Sequence, residues 1–209
     1  MAKITALRAS RGRGKRIKVF LDGRSAFSLE AEVALKERLK VGQELSAGQI
    51  EALNGANQCQ RCLDAAARYL SYRPRSEYEL RKRLLRRGFD DDSIEVVLAK
   101  LKERSLIDDG DFAQFWKDNR QSFSPRSQWL TSLELKQKGV PNEVIEQVVS
   151  TIDDADNAYR AATNRARSLT MSDYQGFRRR LGEYLRRRGF SYGVINKTIE
   201  RLWQERGVA

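Results

Sequence analysis

Three glycines, Gly88, Gly139 and Gly189, stand 51 and 50 residues apart, and the apolar residues around each fall in the same register. Four residues before them stand Leu84, Leu135 and Leu185; six after stand Ile94, Ile145 and Ile195. Ten after come Leu98, Val149 and Ile199, and thirteen after come Leu101, Ile152 and Leu202. In the first copy Ile94, Val97, Leu98 and Leu101 fall within an arc of about 100°, one buried face of a helix. A fixed period of this length, with helical spacing on both sides of a glycine, marks a tandem array of helical units. The glycine is expected as a left-handed C-cap between the second and third helices of each unit.

A leading helix completes each copy. Two of them open on matching acidic steps, Asp108-Asp109-Gly110-Asp111 and Asp153-Asp154-Ala155-Asp156. Ser76-x-x-Glu79 and Asp92-x-x-Glu95 read as capping boxes, and Pro141 suits a first helical turn. Three short helices cannot bury their own faces well, whereas three stacked copies can. The fold expected is mainly α: tandem three-helix repeats in an elongated, curved body, spanning residues 58–107, 108–152 and 153–209.

Residues 1–57 read differently, as a small unit containing a β-hairpin. Ile17, Val19 and Leu21 alternate with Lys18, Phe20 and Asp22, the period of a half-buried strand. Asp22-Gly23 supplies a two-residue turn, Phe27 and Leu29 continue the return strand, and Ile4 to Leu7 could add a third. A short helix is expected around Glu30–Leu39, and Ser46-x-x-Gln49 opens another; Asn54-Gly55 is the best linker candidate.

The chain has 40 Lys+Arg, 28 Asp+Glu and no histidine, for a net charge of +12 over 209 residues. Without histidine there is no Ser-His-Asp or Cys-His arrangement, no imidazole metal ligand and no near-neutral general base of the usual kind. The charge points instead to a polyanionic partner. It is also uneven: residues 108–152 carry −2, while the segments on either side carry the excess. The first eighteen residues hold seven cations and no acid, among them Arg11, Arg13, Lys15 and Arg16.

The second helix of the first repeat carries Arg81, Lys82, Arg83, Arg86 and Arg87, and that of the third carries Arg178, Arg179, Arg180, Arg186, Arg187 and Arg188. Residues seven apart share a helix face, so Arg179/Arg186 and Arg180/Arg187 form rows turned away from Leu181 and Leu185. A charge run is ordinarily a solvated face; its recurrence with few acids nearby favours contacts to phosphates or to an acidic protein surface. Base-specific readout by a helix-turn-helix is disfavoured, because the turn is Asp90-Asp91-Asp92. The Asp clusters fit helix capping better than Mg²⁺ ligation. Cys59-x-x-Cys62 lacks a second ligand pair, and Gly12-x-Gly14-Lys15 lacks the Walker spacing. Trp116, Trp129 and Trp203 are expected in the core.

The run Ala67-Arg68-Tyr69-Leu70-Ser71-x-Arg73-x-Arg75-Ser76-x-x-Glu79-Leu80-x-x-Arg83-Leu84, closing at Gly88, resembles the bacterial RecX regulatory proteins. So does Leu106-Ile107-Asp108-Asp109-x-x-Phe112-Ala113-x-x-Trp116-x-x-x-Arg120, followed by Glu134-Leu135-x-x-Lys138-Gly139-Val140. The likeness covers roughly residues 60–209; the third repeat matches in pattern more than in motif. It implies tandem three-helix repeats and a regulator, usually an inhibitor, of the recombinase RecA. Such a protein would lie along the RecA–DNA filament or block its growing end, limiting extension, ATP hydrolysis and strand exchange. The family carries no catalytic residues, so no enzyme and no cofactor are expected.

The sequence therefore predicts a non-enzymatic regulator of homologous recombination, with the RecA filament and single- or double-stranded DNA as partners. Lack of a long apolar run and scarcity of cysteine place it away from membranes and in the cytoplasm; a monomer is expected, although nothing in the sequence fixes the oligomeric state. A general DNA-binding or chromosome-associated protein without a RecA target is the alternative, and a nuclease using the Asp clusters is a third, weaker one.

Overall fold

The computed structural model describes residues 1–10, 16–169 and 173–207. It divides into two compact units, Met1–Arg73 with Leu80–Leu106, and Pro74–Glu79 with Ile107–Ala209.

In the first unit, β1 (Ala2–Ala9), β2 (Arg16–Leu21) and β3 (Arg24–Glu30) form an antiparallel sheet, with the two-residue β4 (Glu44–Leu45) on the far edge of β1. The β2–β3 turn is the one expected. Asp22 and Gly23 adopt φ of 48° and 81°, the paired positive angles of a type I′ hairpin. Ile4, Val19, Leu29 and Leu45 are buried on one face against Val33 of α1 (Ala31–Lys36) and Leu53 of α2 (Ala47–Leu70).

Ser46 and Gln49 form the capping box that starts α2. That helix does not stop at Asn54-Gly55. It runs through them for 24 residues, so the expected linker lies inside a helix, and the last helix of the N-terminal unit is also the leading helix of the first repeat. Asn57, one turn further on, explains why a break there would be costly. Its buried amide oxygen accepts the Glu30 N–H at 2.8 Å, tying α2 to the end of β3. Leading to α4 (Asp91–Glu103) is α3 (Glu77–Arg86), and the turn between them is closed by Gly88 at φ 88°. The α4 N-cap is Asp90, whose carboxylate accepts from the Ser93 N–H at 2.7 Å. The cap thus lies two residues before the expected Asp92, and Glu95 pairs with Arg81 rather than closing a box.

The second unit holds two further helical triplets: α5 (Asp109–Phe123), α6 (Gln128–Gln137) and α7 (Asn142–Val149), then α8 (Asp154–Ala166), α9 (Tyr174–Arg186) and α10 (Tyr192–Gly207). Gly139 and Gly189 cap at φ 74° and 84°, as Gly88 does. Every apolar position of the sequence repeat is buried except Val149, which is partly so. Trp116 and Trp203 pack against their cores, but Trp129 is 65% exposed, contrary to the core placement expected for it. Trp129 flanks Gly189 instead: a Cβ on that glycine would lie 3.1 Å from the indole Cε3.

The same junction occurs twice in this unit. At the first turn of α3, Ser76 Oγ accepts from Glu79 N–H at 3.1 Å and donates to the Lys138 carbonyl at 2.6 Å, while Asp109 accepts the Glu77 N–H at 2.9 Å. At the first turn of α6, Ser127 Oγ accepts from Leu130 N–H, Ser127 N–H donates to the Arg188 carbonyl, and Asp154 accepts the Gln128 N–H at 2.7 Å. The paired Asp residues thus have separate roles. Asp108 and Asp153 cap their own helices, and Asp109 and Asp154 cap the second helix of the preceding triplet, satisfying backbone donors that burial would otherwise orphan. Burial holds the Asp154 carboxyl above its usual range, against the opposing pull of the Gln128 N–H.

Ser76 is fully buried, so Ser76→Ala leaves a helix donor and a carbonyl without their partner. A loss of about 1–2 kcal/mol is expected. Ser71→Ala removes only an exposed hydroxyl bonded to the Arg68 carbonyl and should stay within about 0.5 kcal/mol of wild type. Urea midpoints measure both, and equal midpoints would show that the junction contributes nothing.

Candidate polyanion-binding surface

Packing decides which cations face solvent. On α3, Leu80 and Leu84 are buried, and that fixes the helix rotation so that Lys82, Arg83, Arg86 and Arg87 are exposed. Arg83 lies over the Tyr69 ring at 5.4 Å. Arg81 is half-buried and committed to Glu95, whose carboxyl it holds below the usual range by hydrogen bonding. On α9, Phe177, Leu181 and Leu185 are fully buried, which leaves Arg179, Arg180, Arg186 and Arg187 exposed and without an ion pair among the described residues. Arg178 donates to the Tyr192 hydroxyl at 3.3 Å.

Arg188 sits apart from the row. It donates to Ser124 Oγ at 2.7 Å and to the Pro125 carbonyl, and its guanidinium lies 4.5 Å from the Tyr184 ring centroid. The structure therefore uses Arg188, like Arg81, inside the fold. At the N-terminus, Arg16 is exposed and paired with Glu30 at 3.5 Å, while Arg11, Arg13 and Lys15 lie outside the described residues.

Two features were not read from the sequence. Arg61 and Arg68, seven apart on α2, share a cleft of about 440 Å³ with Arg16 and Arg87, lined also by Glu30, Glu32 and Asp64. Their helical spacing could have revealed the pair; the joining of strand, helix and turn could not. Gln60 donates to both Glu32 and Asp64 and holds that acidic side of the cleft in place. The second feature is a groove between α9 and α10, of about 380 Å³, bordered by Arg178, Arg179 and Arg186.

The long motifs of the central repeat are architectural. Glu134 accepts from Trp116 Nε1 and Arg120 Nε, each at 2.8 Å, and is ion-paired with Arg126. Lys138 pairs with Glu79 at 2.7 Å and lies 4.1 Å from the Trp116 ring centroid. Burial pulls both arginines, Arg120 and Arg126, below their usual pKa, and Arg126 also feels Arg120 and Arg188. These groups bind one another and are not disposed to receive a ligand. Cys62 is buried, its thiol pushed up to about 11 mainly by desolvation and so kept protonated at neutral pH.

Profiles for the first, second and third three-helix domains of RecX match residues 62–101, 108–149 and 152–199. Among curated relatives, the regulatory protein RecX of a Clostridium botulinum strain is 31% identical over 206 residues, covering 96% of each chain. That of Bacillus licheniformis is 28% identical over 96% of this chain and 77% of its own. A crystal structure of regulatory protein RecX superposes with a TM-score of 0.70 at 26% identity, covering 96% of this chain and 100% of that one. RecX from Lactobacillus salivarius gives 0.60 at 24% identity over 70% of this chain and 97% of its own, a likeness of fold.

Proposed function

Because the chain belongs to the RecX family of regulatory proteins, we propose that it restrains the recombinase RecA by docking on the RecA–DNA filament through the exposed arginines of α3 and α9. The observation that carries this reading is the set Arg179, Arg180, Arg186 and Arg187: four guanidiniums on one helix, exposed and without an ion pair among the described residues. A permanent charge that the fold does not neutralise is available to phosphate oxygens or to carboxylates on a partner. On α3, Lys82, Arg83, Arg86 and Arg87 are exposed and supply further cations. Docking of this kind limits filament extension, ATP hydrolysis and strand exchange by occupation, without chemistry. The protein then acts in the cytoplasm as a DNA-repair regulator within homologous recombination and the SOS response.

RecA ATPase on single-stranded DNA tests the reading. Inhibition at a small fraction of the RecA concentration is expected, since one molecule on a filament affects many protomers. Inhibition that appears only when the DNA itself is saturated would instead establish the general DNA-binding alternative. Salt gives a second readout. Four phosphate contacts imply a fall of roughly a hundredfold in affinity between about 50 and 200 mM salt. Inhibition flat across that range would rule out an electrostatic dock.

A further inference from the structure

The groove between α9 and α10 exists because of two substitutions within the repeat. In the first triplet, Arg81 of α3 and Glu95 of α4 reach across the equivalent position and close it with an ion pair. Counting from the capping glycines, the third triplet has Gly182 and Asn196 at those two places, and no bridge forms there. The result is a groove of about 380 Å³, floored by Gly182, Ile195 and Ile199. That volume matches a pocket for one or a few side chains. Gly182 has an ordinary helical φ, and an added Cβ would meet Ile199 Cδ1 at 3.7 Å and Ile195 Cγ2 at 3.9 Å, normal contacts. Neither backbone conformation nor crowding therefore requires glycine in the middle of this helix, where it weakens helix formation. What the glycine does is leave the floor open.

The rim is cationic. Among the described residues, Arg178, Arg179 and Arg186 line the groove against a single carboxylate, Glu183. Arg178 is steadied by the Tyr192 hydroxyl, which keeps its charge at the groove mouth. We propose that this groove binds an acidic protein segment by burying one bulky apolar side chain of that segment between Gly182, Ile195 and Ile199. Carboxylates flanking the anchor pair with the three arginines. An aliphatic floor with an apolar anchor is the chemistry of peptide recognition in a helical groove. Single-stranded nucleic acid is held by aromatic platforms, and among the described residues Tyr192 is the only aromatic side chain lining this site. The proposal rests on the reading that the α9 arginines face a partner, and it names the class of that partner.

Titration of the full chain into a fluorescein-labelled peptide, Asp-Glu-Asp-Phe-Asp-Glu, tests it by anisotropy. Binding is expected, weakened about tenfold or more when the peptide Phe is replaced by Ser, as loss of a buried aromatic predicts. Gly182→Leu fills the floor and should abolish binding with the helical circular dichroism unchanged. Should that variant misfold, Gly182→Ala, which fits the existing contacts, should weaken binding at least threefold. Equal binding of the Phe and Ser peptides, or an unaltered affinity in a folded Gly182→Leu or Gly182→Ala protein, overturns the proposal. RecA ATPase run in parallel separates the two levels. Inhibition without peptide binding overturns the groove assignment alone, whereas peptide binding without inhibition overturns the filament reading and leaves the groove standing.

Discussion

Gly139→Ala is expected to destabilise the second unit by about 3 kcal/mol, at least ~1.5 kcal/mol more than Gly88→Ala costs the first. Both glycines hold positive φ, 74° and 88°, and alanine forced into that region costs roughly 1–2 kcal/mol at either site. Their surroundings then separate them. A Cβ on Gly88 meets nothing within 4 Å, so strain is the whole cost. A Cβ on Gly139 would stand 2.4 Å from Tyr78 Cβ and 2.5 Å from Cγ. The ring of Tyr78 can swing, but its Cβ is fixed to the backbone at the first turn of α3, so the helices themselves must separate. Gly189→Ala should behave like Gly139→Ala, since its Cβ would fall 2.5 Å from Ser127 Oγ and 2.7 Å from Leu130 Cβ. Three urea melts decide the matter: equal losses for all three variants would mean that the glycines serve only as caps and not as points of close approach.

Those glycines also mark what could be read in advance. Their period located the triplets, and the left-handed caps followed from chain stereochemistry alone. Local chemistry was similarly legible at Asp22-Gly23 and at the Ser46/Gln49 box, because each involves groups within three residues of one another. Failures came where a distant contact outweighed a local preference. Asn54-Gly55 carries the composition of a turn, yet the buried bond from Asn57 to Glu30 keeps the helix intact. Trp129 has the character of a core residue but sits exposed beside Gly189, a neighbour sixty residues away. The second Asp of each acidic pair could be recognised as a cap, but not as the cap of another triplet's helix.

The cationic surface was legible in a similar proportion. Helical rotation, set by Leu181 and Leu185, predicts which arginines of α9 turn outward, and four of the six are exposed without an ion pair among the described residues. Long-range partners are invisible to such periodicity. Arg81 reaches fourteen residues to Glu95, and Arg188 reaches back to Ser124 and Pro125. The α9–α10 groove escaped for a related reason: it is defined by a missing ion pair, which only comparison with the first triplet discloses.

Replacing Arg179, Arg180, Arg186 and Arg187 together by alanine should leave the fold intact and remove most of the RecA inhibition proposed for this protein. All four are exposed and none is ion-paired among the described residues, so little native structure depends on them. Alanine is a better helix former than arginine by only a small margin, and surface changes of this kind lie within about 0.5 kcal/mol each. For binding the effect is much larger. Releasing counterions from one phosphate contact favours binding by a factor of about 5 near 0.15 M salt. Were all four on phosphate, the factors would multiply to several hundredfold and the logarithmic salt slope would fall by about 3–4. With Arg179 and Arg186 on carboxylates, as the groove proposal has them, two phosphate contacts give about 25-fold and a slope change of about 2. Contacts to carboxylates on a protein surface are screened by salt as well, but release fewer condensed counterions, so losing them would lower that slope by less. The quadruple variant therefore distinguishes the two kinds of contact as well as testing the site. Wild-type inhibition by a variant with wild-type helicity and melting would remove α9 from the interface and transfer the docking role to α3. Arg188→Ala makes the contrast complete: because that side chain bonds to Ser124 and Pro125, its loss should lower the melting temperature while the salt slope stays as it was.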